Sequence, residues 1–197
     1  MIVRSFFLRL TLLVFIIGLP TVTLSLDKSA AKLLINNLLN DINQVTTSKK
    51  SEVEVAQEFE DIFSRYSDTK YIASYVMGVD RRRATQEQKK SFSSAFKTYI
   101  ARKYGKQFKG FVVDQLDIRD IREIKKWYEV DIIVKTKDGT PVKITFYVSN
   151  RTGRNLFFNM FVEGINLLLN ERTEIGAILD KNRGNIDALI AELQKPG

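Results

Sequence analysis

The chain has 197 residues, with 31 Lys and Arg, 23 Asp and Glu, and neither His nor Cys. The missing Cys excludes a disulfide framework, a thiolate metal site, a thiol nucleophile and a lipid anchor on cysteine, and the missing His excludes a Ser-His-Asp triad and any imidazole ligand. Acid–base work is left to carboxylates, Lys, Tyr and Ser, while the 44% hydrophobic and 27% charged fractions are those of a folded globular protein.

Arg4 and Arg9 flank an apolar start, and Leu10 to Leu19 carry no charge. Pro20 ends that run, and Thr23-Leu24-Ser25 offers a small-x-small cleavage site. Residues 1–25 therefore read as a secretory signal peptide cleaved near Ser25. An uncleaved anchor is the rival, but ten helical residues rise only about 15 Å, half of a hydrocarbon core of about 30 Å. Cleavage removes two Arg and no acid, so the net charge falls from +8 to +6 over 172 residues. Residues 26–197 are long enough for one domain with a substantial core. A cysteine-free exported chain needs no oxidative folding and suits the periplasm of a bacterial envelope. Asn150-Arg151-Thr152 is a formal glycosylation sequon within a turn.

From Ser29 to Val45, Ile35, Leu38, Leu39 and Ile42 recur at helical spacing. Ser51 followed by Glu54 is a capping-box pattern and opens a second helix with the stripe Val55, Phe59, Ile62, Phe63 and Tyr66. Ser67-Asp68-Thr69 breaks it and caps a short third helix, Lys70 to Met77, with Gly78 at its C-terminal end. Thr85 and Gln88 start the longest helix, about residues 86–106, whose apolar face is Phe92, Ala95, Phe96, Tyr99, Ile100 and Tyr104. The period then changes from 3.6 to 2. Val112, Leu116 and Ile118 fit a first strand; Tyr128, Val130, Ile132 and Val134 a second; Val142, Ile144, Phe146 and Val148 a third; Leu156, Phe158, Met160 and Val162 a fourth. Asp138-Gly139 and Arg151-Thr152-Gly153 mark turns. Two helices close the chain, about 165–180 and 185–194. The expectation is an α+β domain, a four-stranded antiparallel sheet with helices on one face.

No acid stands in a recognisable catalytic motif and no glycine-rich phosphate loop is present, so neither an enzyme nor a cofactor or metal site is expected. Glu163, beside Gly164, is the most interesting acid; its structural role would be to meet free backbone N–H groups at a helix start. Arg81-Arg82-Arg83 is the densest basic run. It fits a solvated turn or a surface for acidic partners and anionic headgroups, and export argues against nucleic acid. Phe59, Phe63, Phe92, Phe96, Tyr99, Phe146, Phe158 and Phe161 would crowd a small core. Either they fill it, or the helices stand off the sheet and leave an apolar cavity; periodicity serves both.

Three stretches carry a resemblance. They are Phe63 to Gly78, with Asp68, Ile72 and Ala73; Arg83-Ala84-Thr85-Gln86-Glu87-Gln88 followed by Phe92, Phe96 and Tyr99 to Gly105; and Val162-Glu163-Gly164-Ile165-Asn166-Leu167 with Arg172, Glu174, Gly176 and Ile186 to Ile190. In this order they resemble the MlaC / toluene-tolerance family, periplasmic phospholipid carriers of the Mla ABC transport system. The sequence departs where the family commonly has an aromatic before Arg-Ala-Thr (here Arg81 and Arg82), Trp in the strand before Val-Glu-Gly (here Phe157 and Asn159 lie in that region), and an aromatic where Ile175 stands. A hopanoid-associated branch of the same family makes related apolar solutes the alternative cargo.

The resemblance implies helices over an antiparallel sheet enclosing an apolar lipid pocket, with the headgroup outside. It implies shuttling between an outer-membrane MlaA–porin complex and the inner-membrane Mla ABC complex, with transient membrane contact and no chemistry on the lipid. Joined to the inward stripes, it marks Phe59, Ile62, Phe63, Ile72, Val76, Phe92, Phe96, Tyr99, Val130, Ile132, Ile144, Phe146, Val148, Met160 and Val162 as lipid contacts. Arg81, Arg82 and Arg83 are marked as partner or headgroup contacts.

Overall fold

The computed structural model describes residues 27–107, 113–136 and 138–195. The expected signal peptide and Val112 lie outside these residues. Four helices come first: α1 (Lys28–Thr46), α2 (Glu52–Tyr66), α3 (Thr69–Val76) and α4 (Gln86–Gln107). Five strands follow: β1 (Val113–Ile124), β2 (Trp127–Thr136), β3 (Pro141–Ser149), β4 (Leu156–Val162) and β5 (Ile165–Asn166). The chain closes with α5 (Leu167–Lys181) and α6 (Ile186–Gln194).

Side-chain caps set the helix starts. Asp27 caps α1, and the Ser51–Glu54 capping box opens α2 with both of its bonds made. Thr85 and Gln88 make the same reciprocal pair at α4. Between α3 and α4, Gly78 to Arg82 form a 3-10 turn that helical periodicity did not reveal. Gly78 sits there at φ +59, and a Cβ on it would come within 3.3 Å of the Arg172 guanidinium, so both conformation and space favour glycine.

The sheet is an antiparallel meander in the order β1-β2-β3-β4-β5. It has five strands where four were expected. The extra one is two residues long, too short for alternation to show. It is made by a two-residue hairpin turn in which Glu163 and Gly164 both have positive φ, +49 and +78. Asn166, not Glu163, caps α5 by accepting the Leu169 N–H at 3.1 Å. Glu163 instead accepts the backbone N–H of Lys143 across the strands.

Cross-strand partners share a face, so the register identifies the core side. Leu116, Ile118 and Ile121 of β1 lie opposite Val134, Ile132 and Val130 of β2, and these lie opposite Val142, Ile144 and Phe146 of β3. Phe146 then meets Met160, and Ile144 meets Val162. Between Tyr147 and Val148 the register slips, and Val148 pairs with Phe157. The expected alternation in β4 placed Phe158 on the core face; the bulge puts Phe157 opposite Val148 and leaves Phe158 at the bulge itself, where its ring lies 5.6 Å from that of Tyr71 in α3. The ring of Phe158 meets Trp127 at 5.7 Å and Tyr147 at 6.0 Å. Phe161, opposite Thr145, faces away from the core and packs on Tyr147 at 5.1 Å. Of the aromatics expected to crowd the core, Phe161 thus joins Tyr147 on the reverse face, and Phe158 meets both that strip and α3.

The helices stack on the core face. α1 lies over β1 and β2, while α3 and α5 reach β4. α4 packs between α2 and α6. Asp68 ties the α2–α3 corner to the sheet: its N–H bonds the Phe157 carbonyl at 2.8 Å, and its carboxylate caps α3 and binds Arg151 at 2.8 Å. Arg151 stacks 3.6 Å over the Tyr71 ring.

Candidate ligand-binding cavity

Where α2, α4 and α5 stand off β3 and β4, an apolar cavity of about 130 Å³ remains. α1 contributes Leu38 and Ile42; α2 contributes Phe59, Ile62 and Phe63; α3 contributes Ile72. α4 gives Phe96, Ile100, Ala101 and Tyr104, and the sheet gives Phe146, Phe157, Phe158, Asn159 and Met160. Leu167, Leu168 and Glu171 of α5 complete the wall. Polar side-chain atoms come only from Asn159, Glu171 and the Tyr104 hydroxyl among these residues. Asn159 turns its carbonyl oxygen back onto the Met160 N–H at 2.8 Å.

Seven expected contacts stand on this wall: Phe59, Ile62, Phe63, Ile72, Phe96, Phe146 and Met160. Val76, Phe92, Val130, Ile132, Ile144 and Val148 are buried in solid core away from it. Tyr99 and Val162 are partly buried against the same core and do not line the cavity. Inward periodicity locates the core face but cannot say which inward residue borders a void. Phe157 was missed because of the bulge. Glu171 was missed although it carries a signal: in α5 it occupies the stripe of Leu168, Ile175 and Leu179, where an apolar residue belongs.

Glu171 belongs to a polar seam between α4 and α5. Its Oε1 accepts the Tyr104 hydroxyl at 2.7 Å and the Lys103 ammonium at 2.7 Å. Lys103 also binds Glu174 at 2.5 Å, and Glu174 accepts the Tyr99 hydroxyl at 2.6 Å. The ammonium lies 5.5 Å and 5.6 Å from the rings of Tyr99 and Tyr104. Burial, reinforced by the neighbouring carboxylates, pushes both phenols above the usual tyrosine range. Burial pulls Lys103 down, but its bonds to Glu171 and Glu174 outweigh that and raise it. Burial likewise opposes ionisation of Glu174, yet the bonds from Lys103 and Tyr99 hold it below the usual carboxylate range.

With this geometry in place, comparison with known proteins decides the family. Residues 32–195 match the family described as "MlaC protein". The chain belongs to the MlaC family. A solved structure of a phospholipid-binding protein from Ralstonia solanacearum, in complex with a phospholipid, superposes with a TM-score of 0.70 at 18% identity. The match covers 84% of this chain and 93% of that one, a likeness of fold. As an MlaC protein the chain has the α+β architecture expected of it, with the fifth strand as the correction.

The three arginines of the densest basic run separate in space. Arg83 donates to Asp80 at 2.7 Å and to the Gly184 carbonyl at 2.6 Å, pinning the 3-10 turn to the α5–α6 connection. Arg81 and Arg82 instead line an open groove with Lys70, Lys89, Lys90 and Lys97. Hydroxyls of Ser64, Thr69, Ser74, Ser93 and Ser94 line it too, and no carboxylate does. Arg81 donates to Ser74 at 3.0 Å, and Lys97 is paired with Glu60 at 3.0 Å.

Proposed function

We propose that this chain is a periplasmic phospholipid carrier that moves lipid between the outer and inner membranes and so maintains outer-membrane lipid asymmetry. The observation that carries this is the apolar cavity between the helices and the sheet, in a chain of the MlaC family. The Ralstonia solanacearum protein of like fold, bound to a phospholipid, supports the same cargo. Residues 1–25 serve as the export signal, cleaved near Ser25.

Burial is worth about 0.8 kcal/mol per CH2, so two tails of about 16 carbons would cost on the order of 20 kcal/mol to expose to water. A soluble carrier replaces nearly all of that with protein contacts, and delivery needs its advantage over the bilayer to stay small. Broad apolar contact suits this better than sharp polar recognition. The lipid tails meet Phe59, Ile62, Phe63, Ile72, Phe96, Phe146 and Met160, joined by Phe157, Ile100 and Leu168. An apolar cavity of about 150 Å³ holds benzene, so two tails require the walls of the 130 Å³ cavity to part. The same volume favours a second cargo reading, a carrier for smaller apolar solutes or hopanoids.

The groove of Arg81 and Arg82 is the docking surface for acidic faces of the protein partners, an outer-membrane MlaA–porin complex and the inner-membrane Mla ABC transporter. Arg83 serves the fold. No step of this function makes or breaks a bond in the lipid.

The test is transfer of a labelled phospholipid from donor to acceptor vesicles by the purified protein. Saturable uptake of one lipid per chain is expected, and Ala101→Phe, which fills the cavity from α4, should abolish it. Transfer that survives this variant unchanged would contradict the assignment of the cavity.

A further inference from the structure

Helices α3 and α5 pack side by side, and Ile72 and Leu168 are their buried contributions to the cavity wall. The same pair carries apolar groups outward: Val79, just past α3, is 66% exposed, and Leu169 of α5 is 51% exposed. The two flank one cation. Arg172 follows Leu169 by three residues, so both stand on one face of α5. The Arg172 guanidinium also borders Gly78, the residue before Val79, where a Cβ would come within 3.3 Å of it. Arg172 lies 5.2 Å over the Tyr75 ring and has no ion pair among the described residues. Asp80, the acid next to Val79, is taken by Arg83 at 2.7 Å. Tyr71 meets Tyr75 at 6.2 Å, and among the described residues neither hydroxyl has a hydrogen-bond partner. These residues line neither the cavity nor the groove of Arg81 and Arg82, which runs along the side of α3 that bears Lys70, Ala73 and Ser74.

We propose that this patch is a docking surface for a lipid bilayer that carries anionic headgroups. Val79 and Leu169 enter the boundary between headgroups and acyl chains, the two tyrosines sit at its level, and Arg172 meets lipid phosphate. Exposed aliphatic groups, phenols with an apolar body and a free hydroxyl, and an unpaired cation are together the set that settles at that boundary. An acidic protein face would answer Arg172 alone and leave Val79 and Leu169 without an apolar partner. The proposal rests on the carrier function above and adds a place for the membrane in it. Leu168 of the cavity wall adjoins Leu169, and the Phe158 ring, which lines the cavity, lies 5.6 Å from that of Tyr71. A wall that has to part for two tails then parts against lipid instead of water.

The experiment floats the exported, processed protein with vesicles of phosphatidylethanolamine and phosphatidylglycerol, and separately with vesicles of phosphatidylcholine alone. Binding to the anionic vesicles is expected, stronger than to the neutral ones and weakening as salt rises. Val79→Glu with Leu169→Glu should lower it about tenfold. Arg172→Gln should lower it about fivefold, the worth of one cation at an anionic surface. Phospholipid carried inside the protein, read by native mass spectrometry, should stay unchanged in both. Arg81→Ala with Arg82→Ala should weaken vesicle binding less than the Val79–Leu169 variant does. Equal binding by the Val79–Leu169 variant and the unaltered protein would overturn the proposal, as would no preference of the unaltered protein for the anionic vesicles. Loss of binding to a partner complex but not to vesicles would give the patch to a protein and overturn it too. A protein that binds the vesicles yet never holds phospholipid would overturn the carrier function instead.

Discussion

Six cations line the groove of Arg81 and Arg82 with no carboxylate among the lining residues, whereas the ammonium of Lys103 is held between two carboxylates and two phenols. Both clusters involve α4, one near its start and one near its end. In the seam the ammonium is paired within the fold, at short range and partly out of water, so its loss is felt as lost stability. In the groove only Lys97 is ion-paired, to Glu60, among the described residues; the other five cations add little stability and remain available to a partner of opposite sign. The contrast teaches where a basic protein keeps charge for itself and where it offers charge outward.

Breaking the seam should have the largest effect. Lys103→Met leaves the buried carboxylate of Glu171 without its cation, and removing one partner of a buried pair costs about 3 kcal/mol or more. For a domain of this size that lowers Tm by roughly 6–12 °C, measurable by calorimetry. A rise in Tm would show that the seam does not carry charge matched for stability.

Next in size is the pH dependence of the seam. Glu174 is depressed in the folded state, so its contribution is present above the usual glutamate value of 4.5 and is lost as pH falls below it. Lys103 is raised, as are Tyr99 and Tyr104, so theirs is present below about the usual values of 10.5 and 10.0 and is lost as pH rises past them. Denaturant midpoints across pH should therefore show a plateau with a fall on each side, and Lys103→Met should flatten the alkaline fall.

The groove should behave oppositely. Arg81→Ala with Arg82→Ala should weaken binding to an acidic partner surface by about tenfold at low salt, with the difference shrinking as salt rises. Tm should move by no more than about 2 °C, as expected of exposed charges. The smallest change is expected from Arg83→Ala, which loses the contacts to Asp80 and Gly184 at an exposed site, for under about 1 kcal/mol and with docking unchanged. Equal loss of docking from Arg83→Ala and from the double variant would dissolve the distinction between the three arginines.

The helix starts were legible in sequence because their signals are local: Ser51 with Glu54, and Thr85 with Gln88, are reciprocal pairs three residues apart. So were β2 and β3, whose core-facing residues alternate with Glu129, Asp131 and Lys135 in one and with Lys143, Thr145 and Tyr147 in the other. β4 was legible as a strand but not in its facing. Leu156 to Val162 is apolar at every position except Asn159, so no alternation could expose the bulge that swaps Phe157 for Phe158. The Lys125–Lys126 hairpin between β1 and β2, with Lys125 at φ +56, carries no glycine or asparagine to announce it. The cavity was legible only as a set of inward stripes. Val130 and Phe146 are opposite one another on one face, yet only Phe146 borders the void, because that depends on how far α4 and α5 stand off the sheet. The seam depends on Lys103 and Glu171 meeting across a sequence separation of 68 residues, which no local pattern encodes.

Native mass spectrometry of the full-length gene product, purified under mild conditions, tests the central claim most directly. The account predicts a mass increment of one diacyl phospholipid per chain, lost in Ala101→Phe. A ligand-free mass from repeated preparations, with no uptake after incubation with phospholipid vesicles, would contradict it.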